Sequence, residues 1–282
     1  MSTVHSVLTT SASGEVEVNP QLLESMQKWE YTKFQSTSRP GISMAWINSE
    51  VGKRGKPYIQ LGTTSAPLAI KWDPQTREDA TQQNPNNTSR NISLTLRAEH
   101  EPFFRALDAQ NLQRAVDMQS KMKASDRWDE NRVRDRLMKT MKTDPEGKWA
   151  SDVRIKIDIN ETELFFVDTD QDADGNPRVG QRRGEYEDPV TGLPNFSRGD
   201  RCVVIFYPKS MYRTLQMGMT FAAKKILIWR SGGTGSNLSF NDVDLPVLTN
   251  NNTSTATASS SPSKKRRRVE IIETKNNDDL PL

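Results

Sequence analysis

Short segments that alternate apolar and polar residues recur through most of this chain. The clearest is VRIKIDI at 153–159, in which Val153, Ile155, Ile157 and Ile159 fall on one side, as expected for a strand with one buried face. Seven further segments predict strands at 42–47, 58–61, 68–72, 91–96, 163–167, 201–207 and 223–229. Glycine and proline occur frequently in the stretches between them. A β-rich fold is therefore expected.

One helical segment interrupts these strands between residues 101 and 142. Pro102 suits the first turn of a helix, and apolar residues then recur with helical spacing. They are Phe104, Leu107, Ala115 and Met122. A second helix is predicted over 129–142, where apolar residues are four apart. We expect both apolar faces to pack against the sheet.

Composition divides the chain into a folded domain and two polar ends. Residues 1–25 are polar and predict a flexible N-terminal arm, whereas 26–245 predict one domain. Residues 246–282 predict a disordered tail, because a segment so rich in Asn, Ser and Thr buries little apolar surface. The strand pattern predicts an α+β, β-rich domain, a small β-barrel similar to the OB fold with a helical insert. A β-sandwich fits the same pattern.

Rare residue types exclude several classes of protein. Cys202 is the only cysteine, so no internal disulfide can form and an intracellular location is favoured. His5 and His100 are the only histidines, which leaves almost no candidate base for Ser-His or Cys-His catalysis and few zinc ligands. No apolar run is long enough for a transmembrane helix. We therefore expect a non-enzymatic protein without a cofactor or a membrane partner.

A basic cluster near the C-terminus follows a proline in a polar, flexible tract. It consists of Lys264, Lys265, Arg266, Arg267 and Arg268. The cluster resembles a monopartite nuclear-localisation signal, in which an extended basic chain binds a nuclear import receptor. The alternative is a solvated charge run or a non-specific phosphate contact. The expected location is the nucleus.

The last five residues are Asp278, Asp279, Leu280, Pro281 and Leu282. They resemble the acidic tip of bacterial single-stranded DNA-binding proteins, although the acidic run is shorter and Leu282 replaces a terminal Phe. That resemblance implies recruitment of replication or repair proteins through the tip. A C-terminus that is acidic by chance is the alternative.

Several segments also resemble a family of uncharacterised proteins encoded by large DNA viruses of algae and protists. The resemblance rests on YIQL near residue 60, DRWDENRVRDRL, VRIKIDI and the segment RGDRCVVIFYPKSMYRTLQMGMTFAAKKILIW. In the last of these a strand, a short aromatic turn and a final strand follow one another. Members of the family are suspected to bind single-stranded DNA, so the resemblance implies the same activity.

Cations for phosphates and aromatic rings for bases are the side chains that a sequence-tolerant DNA-binding surface needs. Several of each occur on or beside the predicted strands. The candidate DNA-binding residues are Lys53, Arg54, Lys56, Tyr58, Lys71, Trp72, Arg154, Lys156, Tyr212, Arg213, Lys224 and Lys225. Taken singly, each aromatic is more often a core residue and each lysine a solvated side chain. Clustering on one sheet would favour the DNA-binding interpretation.

Two acidic patterns suggest metals. Asp170, Asp172, Asp174 and Gly175 imitate the start of an EF-hand loop, but Gln181 stands where a bidentate glutamate is needed. A plain acidic loop between strands is the favoured alternative. A two-metal nuclease could draw on Asp152, Asp158, Asp168 and Asp170 with Lys156, although no spacing is diagnostic.

The leading expectation is a single-stranded DNA-binding protein of nuclear DNA replication, recombination or repair. One alternative is a structural or virion-associated nuclear protein, which would form a stable homo-oligomer and lack a basic groove. The second is a metal-dependent nuclease.

Overall fold

The computed structural model describes residues 4–50, 55–72, 89–158, 161–171, 177–180 and 197–229. Its strands are β1 Val4–Ser6, β2 Leu8–Thr10, β3 Val16–Val18, β4 Glu30–Tyr31, β5 Gln35–Ser36, β6 Ser43–Asn48, β7 Tyr58–Leu61, β8 Leu68–Trp72, β9 Ser89–Thr95, β10 Met141–Lys142, β11 Asp152–Asp158, β12 Glu163–Gln171, β13 Pro177–Gly180, β14 Arg201–Arg213 and β15 Met217–Trp229. The helices are α1 Pro20–Gln27, α2 Glu101–Ser120 and α3 Glu130–Arg136. The predicted β-rich fold with one helical insert is confirmed, and strands occur at all eight predicted segments.

Five strands pair in a circle within one large mixed sheet. β8 is antiparallel to β9, β9 is antiparallel to β11, and β11 runs parallel to β15. β15 is antiparallel to β14, which returns to β8. In chain order these strands are first, second, third, fifth and fourth. Beyond β8, the same edge of β14 pairs antiparallel with β7 and then with β6.

The inward faces of these strands form the core with helix α2. Ile155 and Leu94 are fully buried on neighbouring strands, as the alternation in VRIKIDI predicts. Phe104 of α2 meets Phe221 of β15 edge to face at 6.4 Å, and Phe221 meets Phe206 of β14 at 5.2 Å. The apolar face of α2 thus packs on the sheet, which confirms the core interpretation of the helical insert.

The last two strands form a hairpin that is longer than the sequence predicts. Strands were expected at 201–207 and 223–229 with an aromatic turn between them, but β14 and β15 span 13 residues each and turn at 214–216. Met211 and Met217 are fully buried and continue the inward face. The pairing of β14 with β15 shifts in register on either side of Pro208. These irregularities accommodate the proline, which has no N–H and cannot donate a hydrogen bond to the neighbouring strand.

The second helix is shorter than the predicted 129–142. Asp129 caps α3 by accepting from the Arg132 backbone N–H, yet the chain is extended by Leu137. The Met138 N–H then donates to the Met217 carbonyl, and Met141 pairs with Val153. Hydrogen bonds to the sheet thus replace the hydrogen bonds that further helical turns would form. The spacing of apolar residues by four could not reveal this early end of the helix.

The N-terminal segment is not a flexible arm in the structure. β1 pairs in parallel with β7, and Asn19 caps α1 at Pro20 by accepting from the Gln21 N–H. Val7 and Leu22 are each 1% exposed. The expectation of a flexible arm over 1–25 was therefore wrong for residues 4–25. Although the segment is mostly polar, its few apolar side chains are buried in the core and hold it in place.

The predicted tail over 246–282 falls outside the described residues. The chain divides into two units, Met1–Thr249 and Asn250–Leu282, and the second lies wholly outside the described part. The predicted domain end at 245 stays a prediction. Among the described helices, none is long and apolar enough to cross a membrane.

Candidate nucleic-acid interface

The outward side of β11 carries two exposed cations. Because its inward residues alternate with Arg154 and Lys156, both side chains point away from the core and are exposed. Arg154 lies opposite Ser93 of β9, and Lys156 lies opposite Asn91. Within the described ranges, neither cation forms an ion pair. Their charge therefore remains available to an anionic partner.

A row of outward residues crosses five strands at the level of Lys156. Lys156 is opposite Ala222 of β15, and Ala222 is opposite Tyr207 of β14. The register of β14 with β7 continues the row to Tyr58. We call Asn91, Lys156, Ala222, Tyr207 and Tyr58 the cross-sheet row. Neighbouring strands are about 4.8 Å apart, so the row is about 19 Å long when measured along the sheet.

One end of the cross-sheet row carries two aromatic rings, with lysines and a carboxylate beside them. The rings of Tyr58 and Tyr207 meet edge to face, with centroids 5.6 Å apart. Lys56 Nζ lies 5.8 Å from the centroid of Tyr207. Burial, and then the charge of Lys209, lower the pKa of Lys56. Lys209 itself pairs with Glu161 at 3.6 Å, and burial followed by the charge of Glu161 raises the pKa of Tyr207, so this end is not purely basic.

The Lys71 side chain forms an ion pair and a hydrogen bond within the protein. Its Nζ lies 2.7 Å from an oxygen of Asp152 and donates to the Ala150 carbonyl at 2.8 Å. The side chains of Lys71 and Asp152 are only 15% and 9% exposed. This candidate cation is thus neutralised locally and anchors the start of β11.

The residues suggested for a nuclease are not brought together in the described part. Asp152 and Asp158 lie at opposite ends of β11, about 20 Å apart at 3.3 Å per residue. Asp152 is occupied by Lys71. The side chains of Asp168 and Asp170 lie outside the described residues.

Lys224 and Lys225 share one carboxylate. Their Nζ atoms lie 3.2 Å and 3.0 Å from the two oxygens of Glu163 on β12. Burial works against ionisation of Glu163, but hydrogen bonds from Lys225 and Lys224 hold its pKa below the ordinary value. The three residues together carry one net positive charge, so this part of the surface is less basic than the sequence indicates.

Tyr212 and Arg213 lie at the far end of the hairpin, away from the cross-sheet row. Tyr212 packs over Gly218 and donates to Met138 Sδ at 3.1 Å. Arg213 lies over the Trp128 ring, with 4.5 Å from Cζ to the centroid. Met217, which pairs with Arg213, is five residues from Ala222, or about 17 Å along β15.

Several predicted site residues cannot be placed. Lys53, Arg54, the Trp72 side chain, the basic cluster Lys264–Arg268 and the tip Asp278–Leu282 all lie outside the described residues. Of the calcium-like loop, Asp170 lies in β12 and residues 172–176 are also outside, and β12 and β13 on either side pair antiparallel. The segment before that loop is a strand rather than the helix an EF-hand requires, which favours the plain acidic loop.

Two aromatic residues that the sequence did not single out are Tyr207 and Trp149. Tyr207 ends the segment RCVVIFY, lies opposite Ala222 in the cross-sheet row and is 9% exposed. Trp149 is 58% exposed in a turn where Asp144 accepts from the N–H groups of Glu146 and Trp149. The turn-forming run DPEGKW was the available signal. Lys71 ties this turn to the start of β11 through the Ala150 carbonyl.

Comparisons with known proteins found only distant similarity. No family model and no curated protein matches the sequence. Among solved structures, the chain is similar to the single-stranded DNA-binding protein from bacteriophage Enc34 in complex with ssDNA, with 10% identity and a TM-score of 0.34 over 70% of this chain and 94% of that chain. A C-terminal truncation of the same phage protein gives 9% identity and a TM-score of 0.34 over 71% and 95%. Similarity at this level is too low to carry an argument about function.

Proposed function

We propose that this chain binds single-stranded DNA without a catalytic step, on the outer surface of an OB-fold-like barrel. The circle of five strands, with its fifth strand between the third and the fourth, fits a Greek-key barrel of that kind. In OB folds the second and third strands carry the oligonucleotide-binding face. Here these strands are β9 and β11.

One observation carries the proposal: Arg154 and Lys156 are exposed on the outward side of the third strand and form no ion pair within the described residues. Two free cations two residues apart suit successive phosphates of an extended strand. Tyr58 at the end of the cross-sheet row offers a ring on which a base can stack, and Trp149, three residues before β11, exposes a second ring. Stacking does not depend on base identity, so we expect little sequence preference.

The test is a fluorescence anisotropy titration of the full chain with a labelled single strand and with duplex DNA, at two salt concentrations. We expect Arg154→Ala with Lys156→Ala to weaken single-strand binding at least about tenfold. The dependence of log affinity on log salt should also become shallower by about 1.4, because each lost phosphate contact contributes about 0.7.

The matched control removes two exposed cations elsewhere, Lys28 at the end of α1 and Arg105 of α2, which pair with Glu24 and Glu101. Lys28→Ala with Arg105→Ala lowers the net charge by the same amount and should leave the affinity within twofold. Equal wild-type affinity for duplex and single strand, or an equal loss in both double variants, would refute the proposal. Cleavage of the labelled strand on addition of magnesium would favour the nuclease alternative.

We further propose that Lys264–Arg268 direct the chain to the nucleus through an import receptor, where it serves DNA replication, recombination or repair. The basic composition of this cluster within a polar tract supports the proposal. Replacing all five residues by alanine in a fluorescent fusion should abolish nuclear accumulation. The pair Lys121→Ala and Lys123→Ala should not, since these exposed cations lie in the folded domain. Retention of nuclear signal in the five-residue variant would contradict an import role.

The tip Asp278–Leu282 is proposed to recruit replication or repair proteins. Its carboxylates and terminal hydrophobe suit an apolar pocket with a basic rim. Deleting these five residues should abolish capture of partners while leaving single-strand affinity unchanged or higher, because a competing negative charge is removed. Weaker DNA binding by the deletion variant would count against this role.

A further inference from the structure

A cleft of about 590 Å³ lies where the turn of the long hairpin meets the helical insert and the β5–β6 turn. Four arginines line it: Arg39, Arg127, Arg132 and Arg213. Among the described residues that line the cleft, Asp126 is the one acid. Ser125 and Thr214 also line the cleft. The lining therefore carries a net charge of about +3.

Two of these arginines are held in place by a tryptophan. Trp128 is 7% exposed, and the guanidinium carbons of Arg132 and Arg213 lie 4.8 Å and 4.5 Å from its ring centroid. Stacking on an aromatic ring fixes a guanidinium without consuming its charge. The cations are thus ordered before any ligand arrives, which lowers the entropic cost of binding.

The hydrogen bonds of the arginines leave their charge uncompensated. Arg127 donates to the carbonyls of Met122 and Ser120, and Arg213 donates to the Asp126 carbonyl and to Met122 Sδ. All of these acceptors are uncharged. Burial lowers the pKa of Arg213, and the neighbouring charge of Arg132 acts in the same direction against the opposing effect of Asp126. Each guanidinium has five N–H donors, so donors remain for an anion.

We propose that this arginine cleft binds backbone phosphates of the same single strand that occupies the cross-sheet row, an inference that rests on the proposed function. Planar guanidinium groups match phosphate oxygens, and a cleft of this size holds a nucleotide unit rather than a lone ion. The cleft lies about 17 Å along β15 from Ala222, so a strand must be long enough to span both sites. Short oligonucleotides occupy the row alone.

The test compares oligonucleotides of about 6 and about 16 nucleotides, which bracket the site sizes of OB folds. Arg39→Ala with Arg132→Ala removes two exposed cations of the cleft and leaves its buried parts intact. We expect about tenfold weaker binding of the long strand, a salt dependence shallower by about 1.4, and less than a twofold change for the short strand. Arg105→Ala with Arg136→Ala is the matched control, since Arg136 lies on the same helix as Arg132 but outside the cleft.

Outcomes for the two sites are separable. Loss of binding to both lengths in Arg154→Ala with Lys156→Ala, together with loss of the long strand alone in the cleft variant, supports both proposals. Wild-type affinity of the cleft variant for both lengths overturns the cleft proposal and leaves the proposed function standing. The cleft proposal is equally overturned if the variant loses affinity for an aspartate-rich peptide while its affinity for DNA is unchanged, because the cleft then serves an acidic protein segment. A wild-type chain that binds neither length refutes the proposed function itself.

Discussion

Cations that look alike in the sequence have different environments in the fold. Lys156 is exposed on β11, whereas Lys71, two strands away, is mostly buried against Asp152. Lys224 and Lys225 both form ion pairs with the same glutamate. A lysine that already has a carboxylate partner gains less from a phosphate, because binding must first break an existing pair. Basic character along a strand is thus a poor guide to the site without knowledge of the acids across it.

The pair formed by Lys71 and Asp152 should behave as a structural unit. Lys71→Met alone leaves a carboxylate that is 9% exposed without its cation, and we expect it to lower the free energy of unfolding by about 3 kcal/mol. Lys71→Met combined with Asp152→Leu should recover most of that loss, because an apolar pair of similar volume carries no uncompensated charge. Urea denaturation measures both variants. A double variant as unstable as the single one would show that the charge itself is not the cause.

His100 should make the stability depend on pH. It is 2% exposed, and burial, followed by the charge of Arg97, holds its pKa below 6.5. The unfolded chain then takes up the proton at a higher pH than the folded chain does, so this contribution to stability is complete above pH 6.5 and is lost as the pH falls from there through the folded pKa. His100→Gln should flatten the loss of stability as the pH falls below 6.5.

Thermal unfolding across a pH series checks this prediction. His5, whose pKa burial also lowers, supplies the comparison, because His5→Gln removes a less buried group. An unchanged pH profile in His100→Gln would contradict the assignment.

At the scale of elements, the long hairpin connects every part of the candidate site. β14 contacts β8, β7 and β6 along one edge and β15 along the other. Tyr207, midway along β14, belongs to the cross-sheet row, and Arg213, the last residue of β14, lines the arginine cleft. One register shift, between Pro208 and Ser210, separates these two residues. Its extra residue on β14 changes which side of the strand faces outward, so one strand serves two surfaces.

The far half of the hairpin depends on a glycine. A Cβ at Gly218 would lie 2.6 Å from the Tyr212 hydroxyl oxygen and 2.8 Å from its Cζ, so Gly218→Ala must displace the tyrosine ring. We expect a loss of about 1–3 kcal/mol in the free energy of unfolding, typical of overpacking. In a Tyr212→Ala background the same substitution should cost much less. Chemical denaturation of the four members of this cycle measures the coupling, and additive effects would rule out the contact.

At the scale of the whole molecule, the N-terminal segment closes the domain. β1 extends the sheet beyond β7, and α1 lies where the Gln110 side chain donates to the Met26 carbonyl. Tyr31, just after α1, donates to Asn111 of α2. The segment links the sheet to the helical insert through buried hydrogen bonds, so it belongs to the same cooperative unit.

Deleting residues 1–10 should therefore destabilise the domain. The deletion removes β1 and Val7, which is 1% exposed, and burial of one valine is worth about 1.5–3 kcal/mol. We expect the melting temperature to fall by several degrees, about 2–4 °C for each kcal/mol in a domain of this size. Val16→Ala is the control, because that side chain is 54% exposed and should cost less than about 0.5 kcal/mol. A deletion as stable as the full chain would restore the interpretation of residues 1–10 as a flexible arm.

The sequence by itself determined the positions of eight strands and the inward side of β11, because alternation such as that of VRIKIDI follows from local backbone geometry. It also determined that Arg154 and Lys156 face outward together. Only the tertiary structure decided which strands are neighbours, since pairings such as Lys156 with Ala222 join residues far apart in the chain. For the same reason the sequence could not reveal that Asp152 neutralises Lys71 or that Trp128 holds Arg213 in the cleft. These contacts depend on packing across elements, which no local pattern encodes.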